Sequence, residues 1–140
     1  MKSKNVGMGY ILRFYSGEEL IKELTEFSIR EKIESGWVWG LGALESATLG
    51  FFDPESKSYV REEIDSHFEI ASLTGNISLM EGKPSIHIHV CLGTEDFEIV
   101  GGHLFFAIVS ATAELFVMNF SQRIDRKPDA ATGLSLLFLE

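Results

Sequence analysis

An α+β fold, mostly antiparallel sheet with one principal helix in a single compact domain, is what this sequence predicts, on three observations. One segment near the start carries helical periodicity. From Gly36 onward, short β-prone runs alternate with turn residues, and no low-complexity stretch or linker divides the 140 residues. Hydrophobic residues make up 45% of the chain, eleven of them phenylalanine, which is enough for one core. Residues 1–140 therefore read as one domain.

Residues 10–14, Tyr-Ile-Leu-Arg-Phe, read as a short strand. Residues 16 to about 32 follow as the helix. Ser16 with Glu19 three positions on is a capping-box pattern, and Glu18 and Glu19 suit the positive end of the helix dipole. Leu20, Leu24 and Phe27 form the apolar stripe, with Ile21 at its edge. Ile29 falls on the opposite side, where it can meet a second surface or another subunit. Gly36 ends the helical pattern, and Trp37 and Trp39 alternate along the first of the β-prone runs. Residues 49–52 and 59–64 form a hairpin around Asp53-Pro54-Glu55-Ser56-Lys57. A second hairpin joins residues 68–80 to 85–92 through Glu81-Gly82-Lys83-Pro84. Next come a loop bearing His103, a strand from about 107 to 120, and a last strand over 134–139. Between these two strands, Arg123, Arg126 and Lys127 are interrupted by Asp125 and followed by Asp129, the composition of a solvated surface loop.

Chemistry gathers around Ser85-Ile86-His87-Ile88-His89-Val90-Cys91-Leu92 and Gly101-Gly102-His103. Residues two apart in a strand share a face, so His87 and His89 point the same way, with Ile86, Ile88, Val90 and Leu92 on the buried side. Gly93-Thr94-Glu95-Asp96 reads as a turn that brings His103 alongside. The two glycines before His103 suit a sharp bend or a close backbone approach. A His-x-His pair is in itself either a polar strand face or two metal ligands. A third imidazole at hairpin distance makes a set suited to Zn²⁺ with a fourth position left open, and iron, nickel or copper also accept imidazole. Cys91 shares the face as a weaker fourth ligand, and His67 lies outside the hairpin. Glu114 is the one formally charged side chain between Ile99 and Gln122. It either reaches solvent, pairs with a base such as Arg13, or serves in a pocket as a catalytic proton carrier.

Composition narrows the partners. A net charge of −9, from 21 acidic and 12 basic residues, opposes direct binding to nucleic acid, whose affinity comes from clustered Lys and Arg. No run approaches the ~20 apolar residues of a membrane span, and Met1-Lys2-Ser3-Lys4-Asn5 leads into no signal-like segment, so a cytoplasmic protein is expected. A single cysteine rules out an internal disulfide framework. Neither Gly40-Leu41-Gly42 nor Gly101-Gly102 has the length or placement of a phosphate-binding fingerprint.

Gly40-Leu41-Gly42-Ala43-Leu44, Leu49-Gly50-Phe51-Phe52-Asp53, Phe68 through Ile77, Gly82-Lys83-Pro84 with His87-Ile88-His89, and Gly101-Gly102-His103-Leu104 occur in this order. The pattern, with Arg13 and Gly17-Glu18 before it, resembles the plants-and-prokaryotes conserved (PPC) domain from about Tyr10 to Leu139. The resemblance implies a compact α+β domain, a homotrimer, and a metal site formed by His87, His89 and His103. It also brings a DNA-binding label, because plant relatives join the domain to an Arg-Gly-Arg-Pro hook that enters the minor groove. No such element occurs in this sequence. The reading that follows is a small cytoplasmic homotrimer binding zinc or another divalent transition metal, with a small-molecule or enzymatic role at the metal. The alternative is a non-enzymatic, transcription-associated or DNA-associated assembly module.

Overall fold

The computed structural model describes residues 1–139. Eight strands and one helix follow in the order β1 (Lys2–Asn5), β2 (Gly9–Tyr15), α1 (Leu20–Arg30), β3 (Gly36–Asp53), β4 (Ser58–Met80), β5 (Lys83–Gly93), β6 (Ile99–Asn119), β7 (Asp125–Pro128) and β8 (Ser135–Phe138). The predicted α+β class and its single helix are what the structure has.

The strands form one sheet in the order β1-β2-β6-β3-β4-β7-β8, and β5 pairs with both β4 and β6. All pairings are antiparallel except the single contact of β4 with β7. Because β3 also lies between β4 and β6, strands β3, β4, β5 and β6 close into a ring. The two expected hairpins share one long strand, β4. Its first half pairs with the end of β3 and its second half with β5. Register shifts near Gly42, Leu44 and Thr48 mark β-bulges in β3, which increase its twist and let so long a strand curl.

The helix α1 lies on β5 and β6. Leu20, Leu24 and Phe27 are fully buried against Leu12, Phe14, Ile88, Leu92 and Leu115, which places the core between the helix and the inner face of the sheet. Ile29 is 57% exposed on the opposite side.

The helix starts later than the capping box suggested. Glu19, not Ser16, is the N-cap, and its carboxylate accepts from the backbone N–H groups of Ile21 and Lys22. The reason is tertiary. Gly17 N–H donates to Val109 O and Val109 N–H donates to Glu18 O, so the turn at Ser16-Gly17 and the bridged Glu19 are held against β6 ahead of the helix.

Strand β6 begins at Ile99, so His103 stands in a strand and not in a loop. The glycines before it serve a close approach. A side chain at Gly102 would put its Cβ 2.7 Å from Gly50 O, and one at Gly101 would collide with Val90 O. The outer face of the sheet keeps its aromatic residues in view. Ile11, Phe116 and Trp39 are consecutive partners across β2, β6 and β3, all exposed, with Trp39 stacked on Phe116 at 5.6 Å.

Candidate metal centre

Alternation along β5 sends Ile88, Val90 and Leu92 into the core and leaves His87 and His89 on the other face. On one side of β5, β4 sets Asn76 opposite His87. On the other, β6 sets His103 opposite His89. His103 also pairs with Gly50 of β3, so it occupies the point where the ring of strands closes.

The three imidazoles meet. One ligand nitrogen from each lies within 4.8 Å of the others, and ring centroids are 5.0 to 5.5 Å apart. His87 Nε2 and His89 Nε2 are separated by 3.2 Å. Two nitrogens bound to one tetrahedral zinc at ~2.0–2.1 Å stand about 3.3 Å apart, so this spacing is already that of a ligand pair. His103 Nδ1 is buried and has no hydrogen-bond partner among the described residues. A buried ring nitrogen without a partner is costly, and a cation held by that nitrogen would satisfy it. The donor set therefore fits a divalent transition metal.

Burial, reinforced by the Arg126 guanidinium and by His89, holds the His87 imidazole below the usual histidine range. His103 is pushed down to about 4, first by burial and then by His87, His89, Arg61 and Arg126. Both rings are thus neutral at pH 7, the form a metal needs. An aromatic box holds His103 in place. Phe105 and Tyr59 lie 4.4 and 5.1 Å from its ring, centroid to centroid, and the Arg61 guanidinium lies over the Phe105 ring at 3.7 Å.

Arg126 departs from the sequence reading. It belongs to β7, not to a solvated loop, and its guanidinium donates to Ser78 Oγ (2.8 Å), Ser135 O (2.8 Å) and Asn76 Oδ1 (2.7 Å). Its Nη2 also lies 3.2 Å from His87 Nδ1. The site has a flanking cation that sequence spacing did not reveal, since three of its four partners, Ser78, Asn76 and His87, are 39 to 50 positions away. Arg123 is different, an exposed residue in a forked ion pair with Asp125. Phe105, two residues beyond His103 on the same strand, was within reach of the alternation rule; Tyr59, remote in sequence, was not.

Glu114 is not brought to this cluster. It stands eleven residues further along β6, roughly 36 Å at ~3.3 Å per residue, exposed and opposite Arg13 and Leu41. Of the roles open to it, solvent exposure is the one observed. Cys91 is exposed on β5 outside the three-histidine group, and His67 is exposed on β4.

Known proteins resemble this chain along nearly its whole length. A protein from Bacteroides thetaiotaomicron, provisionally described as DNA-binding, shares 34% identity with a TM-score of 0.95, over 98% of this chain and 96% of that one. A metal-containing protein from Archaeoglobus fulgidus shares 38% identity with a TM-score of 0.88, over 96% of each chain. The bifunctional protein GlmU of Synechococcus sp. (strain JA-3-3Ab) is 30% identical over 134 residues, which is 94% of this chain but 20% of that protein. The profile of the Plants and Prokaryotes Conserved (PCC) domain matches residues 1–121, stopping short of β7 and β8. With that match over most of its length, this chain belongs to the Plants and Prokaryotes Conserved (PCC) domain family.

Proposed function

We propose that the chain is a small metal-binding protein of this family, a homotrimer in which His87, His89 and His103 of each subunit hold a divalent transition metal that serves a small-molecule or enzymatic role. The observation that carries the reading is the convergence of three imidazoles, with His103 Nδ1 buried and unpartnered among the described residues. Zinc is the first choice, since an all-imidazole set of three with room for a further ligand suits it. The metal-containing relative from Archaeoglobus supports metal binding without naming the element. When bound, such a metal acidifies water and polarises an oxygen ligand. The chain's own residues orient the site: the aromatic box fixes His103, and the β4–β5–β6 register fixes His87 and His89. Exposed Trp39, Leu41 and Phe116 supply an apolar face suited to subunit contact.

The test is metal content per chain by elemental mass spectrometry, on protein purified without a chelating tag. Near-stoichiometric zinc is expected in the parent and none in the triple His87→Ala, His89→Ala, His103→Ala variant. Equal metal in both would exclude these ligands.

A second reading, a non-enzymatic assembly module associated with transcription, draws on the same exposed face. The provisional name of the Bacteroides relative and the presence of a matching segment within a much longer protein also favour it. It expects the metal-free protein to keep its oligomeric state and partners. Direct DNA contact is disfavoured by the net charge of −9.

A further inference from the structure

A cavity of about 410 Å³ opens beside the histidines, with His87, His103, Tyr59 and Arg126 on its polar side and residues such as Ile86 and Leu136 on its apolar side. No aspartate or glutamate lines it, although the chain as a whole is strongly acidic. Arg126 is half-buried at its edge, and all four of its hydrogen-bond partners are uncharged. A guanidinium withdrawn from water without a counter-charge is unfavourable unless something anionic joins it. We propose that this cavity is a carboxylate site, in which Arg126 recognises a small acid bearing a short apolar substituent.

Two further observations define the ligand. A guanidinium carries five N–H donors, and four are engaged, so one remains for a ligand. The guanidinium has no acceptor, so in its contact with His87 the imidazole Nδ1 must accept, and the ring's proton then sits on Nε2, facing His89. A metal held by His87 Nε2 would require that proton to move to Nδ1, where Nη2 could no longer donate; a second donor would then be free, and two donors match the two oxygens of a carboxylate. A phosphate, with four oxygens and more charge, has nothing to place against the apolar wall. The inference rests on the metal reading for this release of Nη2. Arg126 itself stands on β7, beyond the residues matched by the family profile, while His87, His103 and Tyr59 lie within them.

The experiment is calorimetric titration of the full chain with butyrate, in zinc-loaded and chelator-treated forms, with inorganic phosphate as the comparison and metal per chain measured in every sample. Butyrate is expected to bind the zinc-loaded protein more tightly than the metal-free form. Arg126→Gln should weaken butyrate by about 10- to 100-fold, the scale of a lost charge-assisted contact, when compared with the parent at equal metal content. Arg126→Lys, which keeps the charge but not the fork, should fall between and covers the case in which the glutamine variant fails to fold. Metal retained with butyrate affinity unchanged in both variants overturns the carboxylate site and leaves the metal reading standing. Absence of butyrate binding, or tighter binding of phosphate, overturns it as well. Absence of metal overturns the metal reading, and butyrate binding that still depends on Arg126 would then support the site alone.

Discussion

His103 is a base held where a proton is unwelcome. Its imidazole is pushed down to about 4 while an unfolded histidine titrates near ~6.5, so the unfolded chain takes up the proton first as acid is added. Stability of the metal-free protein is therefore complete above about 6.5 and declines as pH falls toward about 4, by something on the order of 2 kcal/mol after allowance for screening at a half-buried ring. Urea midpoints of chelated protein at pH 7 and pH 5 should differ in this direction, and His103→Gln should flatten the difference. A parent midpoint independent of pH over that window would show that the ring is not shielded as described. The histidines were legible in the sequence because period-two alternation and a hairpin turn are local signals. Arg126 was not, since nothing in Asp125-Arg126-Lys127-Pro128 advertises Ser78, Asn76 or His87 as partners.

Strand β6 joins the site to the core. Its glycines look like turn residues in isolation, and only the neighbouring backbones of β3 and β5 explain them. Gly102→Ala would drive a Cβ to 2.7 Å from Gly50 O, backbone that cannot swing aside. A loss of about 1–3 kcal/mol is expected from such overpacking, together with weaker metal retention because His103 is the next residue. A urea melt and metal analysis of this variant would check both, and an unchanged midpoint would mean that β3 shifts freely. The start of α1 makes the complementary point. Ser16-x-x-Glu19 is a sound local signal, yet bonds from Gly17 and Glu18 to Val109 outrank it and hand the cap to Glu19.

At the scale of the molecule, the class, the helix and both hairpins were legible, whereas the closure of β3 through β6 into a ring was not, because it depends on β3 reaching two partners along its length. The ring, with β2 beside it, turns Ile11, Phe116, Trp39 and Leu41 outward on one face. The proposed trimer draws on that face, so Trp39→Glu is expected to shift a trimer toward monomer in light scattering while leaving metal content intact. A trimer unaffected by the change would place the subunit contact elsewhere. Closure also consumes backbone donors and acceptors that would otherwise invite other chains. The strands at the two ends of the hydrogen-bonded path, β1 and β8, are only four residues each. Two lysines guard β1, a device against strand addition, whereas β8 presents Leu136 and Leu137 about 40% exposed. Any tendency of this protein to aggregate edge to edge is therefore concentrated in one short C-terminal strand, and a lysine placed there is the natural remedy.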